Sequence, residues 1–171
     1  MQKKTRPPEI IGWREHVSLP DLGIAHLAAK IDTGARTAAL HAVDQMPFEQ
    51  DGKPWVEFMV PVHNRRSPRR ISLPIVDERE IKNTGGVPER RLIVRTRLLL
   101  GRRTWQIEVS LANREKMEFD LILGRTAIRR RRFLVDPGKS FLLDPPKAPG
   151  PPRPAAAGGP ALTPAMEGGS E

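Results

Sequence analysis

Few residues in this chain have both the type and the setting for chemistry, and Asp32 is one of them. Lys30-Ile31-Asp32-Thr33-Gly34-Ala35 puts an aspartate at the end of an apolar-leaning run, His26 to Ile31. About ninety residues on, Leu121-Ile122-Leu123-Gly124-Arg125 again brings apolar residues to a stop at a glycine. Two carboxylates held about 3 Å apart cannot both ionise, so one keeps its proton. Such a pair can split a peptide bond: the ionised member draws a proton from water and the neutral one polarises the carbonyl. The chain holds one Asp-Thr-Gly, so the second aspartate must come from another copy across a dimer axis. The neighbours suit that arrangement. Gly34 has no Cβ and lets two backbones approach, and the Thr33 hydroxyl can bond across the axis. Ala35 keeps the floor small, and Ile31 limits solvent. Read alone, Asp-Thr-Gly is equally an ordinary turn, because Asp and Gly favour turns.

The elements that must position Asp32 read as strands. His26–Ile31 delivers it, and Asp51-Gly52 separates two candidate strands in the manner of a hairpin, with Trp55–Val62 as the return strand. Ile71–Val76 is a further strand, and Pro74 pushes it toward a sheet edge. Arg91–Leu100, Gly101-Arg102 and Arg103–Leu111 form a long hairpin with clean alternation in its second arm. Phe133–Val135 and Ser140–Leu143 supply two terminal strands, and one short helix is expected over Arg125 to Arg130. Many short strands with Gly and Pro turns define an all-β closed barrel or sandwich. Residues 1–144 are read as one domain, without internal repeat. Residues 145–171 carry eight of the 18 prolines, mixed with Ala and Gly. That tail cannot bury enough apolar area to offset its ordering entropy and is expected to be disordered, or a linker to a partner.

Lys30-Ile-Asp-Thr-Gly-Ala-Arg-Thr-Ala-Ala-Leu-His41, Asn113-Arg-Glu-Lys-Met-Glu-Phe119, Leu123-Gly-Arg-Thr-Ala127 and Phe133-Leu-Val-Asp-Pro137 resemble the retropepsin-like family long labelled an ATP-dependent zinc protease. The resemblance runs from about Ile10 to Asp144. It implies a retropepsin-like barrel with Asp32 catalytic, Thr33, Gly34 and Ala35 in the active-site loop, and Gly124 in a structural turn. It also implies a mobile flap at Thr84-Gly85-Gly86, whose glycines suit a moving tip; as residues alone, these are also a plain surface turn. Relative to a minimal retropepsin, residues 42–76 look like an inserted hairpin. Members of the family are often associated with ATP-grasp glutamate ligases. The resemblance therefore implies an aspartic peptidase, active as a homodimer, that trims glutamate tails added to a ribosomal protein.

The label's zinc and ATP find no support in the residues. His16, His26, His41 and His63 never lie three or four apart, and no Gly-x-x-x-x-Gly-Lys-Ser/Thr loop exists. No metal, nucleotide or other cofactor is expected. His41 follows the Asp32 loop and either points to the cleft or is a hydrogen-bonded structural residue. There is no cysteine, no apolar stretch after the basic start and no run long enough to span a membrane, so a cytoplasmic protein is expected.

The formal charge of +9 lies wholly on residues 1–144, because the tail's charges cancel. Arginines cluster at Arg65, Arg66, Arg69 and Arg70, at Arg90, Arg91, Arg95 and Arg97, at Arg102 and Arg103, and from Arg129 to Arg132. Such a surface attracts polyanions. A poly-glutamate tail would meet arginines that fork onto carboxylates, with Arg36, Arg90 and Arg125 as the expected cleft residues. Arg125 has an alternative role, pairing with Asp120 or another acid to hold the short helix. Ribosomal RNA is the competing partner, although few aromatics are present for base stacking. A non-catalytic basic binding module for acidic peptides or RNA is the alternative function.

Overall fold

Alternation of apolar and polar residues turns most of the chain into strands, and the apolar faces close on one another. The computed structural model describes residues 6–61 and 70–147. Its strands are β1 (Glu9–Gly12), β2 (Arg14–Leu19), β3 (Ile24–Ile31), β4 (Ala38–His41), β5 (Val43–Gln50), β6 (Lys53–Met59), β7 (Arg70–Lys82), β8 (Pro88–Leu100), β9 (Arg103–Ala112), β10 (Leu121–Leu123) and β11 (Phe133–Asp136). A 3-10 turn spans Pro20–Leu22, and α1 is one turn of helix at Arg125–Ile128. No helix among the described residues is long and apolar enough to cross a membrane.

Six strands close a barrel in the order β2-β3-β10-β4-β9-β8, and β8 returns to β2 through Val17 opposite Leu100 and Ser18 opposite Leu99. In β9, Trp105, Ile107, Val109 and Leu111 point inward and join Val17, Leu19, Leu40, Leu98, Leu121 and Leu123 in the core. The expected barrel with a single short helix is therefore present. Its least local feature is β10. This three-residue strand inserts between β3, in parallel, and β4, antiparallel.

Off the barrel, β8 continues through β7 and β6 to β5. The expected hairpin is β5–β6, turning at Asp51 and Gly52. Both have positive φ (52° and 71°), the geometry of the tight turn that Asp-Gly favours. Pro74 does not mark an edge strand. β7 pairs with β6 from Arg70 to Pro74, then with β8 from Ile75 to Lys82. The missing proline N–H falls where the strand changes partners, so it interrupts neither ladder.

The second terminal strand is also corrected. Phe133–Asp136 forms β11 and pairs in parallel with β1, but Ser140–Leu143 joins no sheet. Phe141 has a positive φ of 54°, which breaks an extended run. A buried carboxylate replaces the ladder: Glu15 accepts the amides of Gly12 (2.7 Å), Leu142 (2.9 Å) and Leu143 (3.3 Å). Gly12 is required by this crossing, because a Cβ there would lie 2.5 Å from Lys139 O. Arg65, Arg66, Arg69, His63 and most of the proline-rich tail lie outside the described residues.

Candidate active site

β3 and β10 end together because Leu123 lies opposite Ile31. From there Asp32 donates its amide to Leu123 O (3.0 Å) and the chain turns sharply. Asp32 Oδ1 accepts the amides of Gly34 (3.1 Å) and Ala35 (3.2 Å), so the side chain shapes its own loop. The other carboxylate oxygen takes no part in that turn.

The residues after β10 brace the loop from behind. Arg125 N donates to Ala35 O (2.9 Å), and Thr126 reaches Arg36 O through both N (3.0 Å) and Oγ1 (2.9 Å). Arg125 also extends a guanidinium nitrogen to Thr33 O (2.9 Å) and Gly34 O (3.0 Å). Gly124 makes this approach possible. A Cβ on it would sit 2.7 Å from both C and O of Thr37 and 2.9 Å from Arg36 C.

Asp32 opens on a cleft of about 1360 Å³. Asp32, Gly34, Ala35 and Arg36 line one side, and the hairpin of β7 and β8 lines another, down to Lys82, Asn83 and Thr84 near its tip. The tip is organised by Asn83, whose Oδ1 accepts the amides of Gly85 (2.9 Å) and Val87 (3.0 Å). Gly86 has φ of 76°, a conformation that favours glycine. Thr84 faces the cleft, while Gly85 and Gly86 form the exposed end of the hairpin.

Of the three arginines expected in the cleft, Arg36 lines it and the other two do not. Alternation along β8 sends Glu89, Arg91 and Arg95 to the cleft and Arg90 to the opposite face. There Arg90 pairs with Glu78 at 3.0 Å. Arg125 instead spends its guanidinium on the backbone of the Asp32 loop. His41 is buried, and its Nδ1 accepts the Arg114 amide at 2.8 Å. It holds the loop after β9 and does not line the cleft.

Beyond Arg36, the cleft is lined by Arg79, Arg91, Arg95, Arg114 and Arg129. Arg91 and Arg114 line the cleft, and Arg114 is anchored by Nε to Phe119 O at 3.0 Å. Burial, and then the neighbouring Arg91, lower the Arg114 pKa, while Asp32 and Asp120 act in the opposite sense. The alternation of Glu89-Arg90-Arg91 could have pointed to Arg91. Arg114 lies in the Asn113–Phe119 segment that carries the family resemblance, but nothing in that segment assigned it to the cleft. Two cleft arginines are paired with acids: Arg79 bridges Asp77 (2.6 Å) and Glu108 (2.7 Å), and Arg95 adds a contact to Glu108 (3.2 Å). Hydrogen bonding from Arg79 lowers the pKa of both carboxyls. No group of three or more His, Asp or Glu among the described residues is placed to hold a metal.

A barrel of this topology, with an Asp-Thr-Gly loop braced by an apolar-apolar-Gly strand end, defines a retropepsin-like lobe. Residues 10–146 match the RimB-like family, described as the retropepsin-like aspartic endopeptidase RimB, and the chain belongs to that family. A protein of Desulfotalea psychrophila named as a probable alpha-L-glutamate ligase is 43% identical over 137 residues, covering 79% of this chain and 29% of the relative. One of Shewanella pealeana with the same name is 40% identical over 136 residues, covering 78% and 30%. The chain thus spans about three tenths of the length of these curated relatives. A crystal structure of a Legionella pneumophila protein of unknown function superposes with a TM-score of 0.68 at 33% identity, covering 78% of this chain and 96% of that one.

Proposed function

We propose that this chain is an aspartic peptidase that works as a homodimer and hydrolyses peptide bonds in acidic, glutamate-rich tails. Asp32 from each subunit forms the dyad. One carboxylate takes a proton from water while its protonated mate donates to the scissile carbonyl, since two such groups at hydrogen-bonding distance share one proton. Thr33, Gly34 and Ala35 form the loop that presents the dyad. Arg125 and Gly124 position that loop from behind. The β7–β8 hairpin, with Thr84, Gly85 and Gly86 at its tip, closes over the substrate, and Arg36 attracts substrate carboxylates.

The observation that carries this reading is the one Asp-Thr-Gly loop, held by its own carboxylate and by α1, opening on a cleft beneath a glycine-tipped hairpin. Family membership supports the peptidase chemistry. The relatives named as glutamate ligases support a glutamyl substrate, on the argument that a tail one enzyme builds is what its companion trims. A ribosomal protein as carrier of that tail, and a cytoplasmic setting, belong to the same proposal. In the experiment that tests it, an oligoglutamylated peptide and a neutral one are incubated with wild type and Asp32→Asn and read by mass spectrometry. Shortening of the acidic peptide by wild type alone is expected. Equal shortening by both proteins would overturn the assignment of Asp32, and affinity for acidic peptide or RNA without any cleavage would favour a binding module.

A further inference from the structure

β8 and β9 run antiparallel with Ile93 opposite Ser110, so the segment that follows the end of β9 at Ala112 emerges beside Arg91. That segment carries Arg114. Its position is fixed at two points: the amide donates to buried His41, and Nε donates to Phe119 O. Arg91 is similarly confined. Its side chain is only 12% exposed, and its Nε is held by Glu89 at 2.9 Å. In register, Arg91 also lies directly opposite Arg79 on β7.

Like charges brought together in a partly dry wall cost free energy unless something compensates them. Arg79 is compensated twice, by Asp77 and Glu108. Arg91 has Glu89 alone as an ion-pair partner among the described residues, and Arg114 feels Arg91 against the opposite pull of Asp32 and Asp120. Each uses only Nε for side-chain hydrogen bonds among the described residues. Both side chains line the cleft, and Arg114 feels the carboxylates of Asp32 and Asp120 there. A planar guanidinium presents parallel N–H groups that match the two oxygens of a carboxylate.

We infer that Arg91 and Arg114 form a carboxylate subsite beside Asp32, which seats an acidic group of the substrate next to the bond to be cut. The inference rests on the peptidase reading only for what happens to the ligand afterwards; the subsite itself is a binding claim. The carboxylate comes either from a glutamyl side chain or from the free end of the chain, and the chemistry of recognition is the same. Arg91 and Arg114 are specificity residues in this scheme, and turnover remains with Asp32.

The test measures binding apart from cleavage. Full-length Asp32→Asn protein is titrated by fluorescence anisotropy with a labelled oligoglutamyl peptide, its C-terminally amidated form and a C-terminally amidated oligoglutaminyl peptide, which carries no carboxylate. Arg114→Gln in that background should weaken oligoglutamyl binding by about ten- to a hundredfold, the loss of one charge-assisted contact, and leave oligoglutaminyl binding unchanged. Arg91→Gln should do the same without touching the Phe119 anchor, so a disturbed loop in the first variant does not decide the outcome. If amidation alone reproduces the loss, the subsite reads the chain end; if it does not, the subsite reads side chains. Unchanged oligoglutamyl affinity in both variants, or no preference for oligoglutamyl over oligoglutaminyl peptide in the parent, would overturn the subsite. Arginine-dependent binding with no cleavage by wild type would sink the peptidase reading and keep the subsite.

Discussion

Gly124→Ala adds a single methyl group, and the structure gives its consequence. Gly124 has φ of −74° and ψ of 174°, a conformation open to any residue, so the substitution carries no backbone strain. The cost is steric. The new Cβ would meet C and O of Thr37 at 2.7 Å and C of Arg36 at 2.9 Å, where ordinary contact begins near 3.4 Å. These are backbone atoms, unable to swing aside as a side-chain end would. The loop from Asp32 to Thr37 must therefore retreat from α1 by several tenths of an ångström. That retreat strains the bonds from Arg125 and Thr126 to Ala35 and Arg36. Overpacking of this kind costs about 1–3 kcal/mol, which lowers the melting temperature by roughly 2–12 °C in a domain of this size. A misplacement approaching an ångström at a catalytic group costs about a hundredfold in rate. Calorimetry and peptide cleavage should therefore both respond, kcat far more than KM. A Gly124→Ala protein with wild-type melting temperature and kcat would refute the argument that this close approach sets the Asp32 loop.

Glu15→Ala should destabilise the protein by about 2–4 kcal/mol, since it strands the amides of Gly12, Leu142 and Leu143. Urea unfolding measures this, and a loss no larger than that of an exposed Glu→Ala control would contradict the fastening role. Arg125→Met removes the two contacts to Thr33 O and Gly34 O. It should lower kcat about tenfold with little change in KM, and a rise in KM alone would instead mark Arg125 as a substrate contact. Glu108 has its folded-state pKa lowered, chiefly by the hydrogen bond from Arg79. Its contribution to stability is therefore full above the ordinary value of 4.5 and is lost as pH falls through the depressed folded value. Arg79→Leu should flatten that acid limb in unfolding curves taken across pH, and identical limbs in variant and wild type would reject the assignment.

Local chemistry made much of the fold legible in the amino-acid sequence. The Asp51-Gly52 turn announces itself because those residues accept positive φ at little cost, and β9 because its apolar residues recur at every second position. The strand into Asp32 was readable for the same reason, and so was the glycine stop at residue 124. Pro74 misled because a missing N–H usually means an edge, and here it marks a change of partner.

What tertiary structure decided is which distant pieces meet. β10 brings Gly124 against Thr37 only because a three-residue strand inserts between β3 and β4. Glu15 replaces a sheet ladder for Leu142 and Leu143. In the arginine-rich run of β8, strand alternation turns Arg91 to the cleft and Arg90 away, and only the packed barrel brings Arg114 alongside. A turn or a period of two is set by neighbours along the chain and can be read there. Which carboxylate, amide or guanidinium compensates another across the barrel depends on closing the whole apolar core, which a local pattern does not encode.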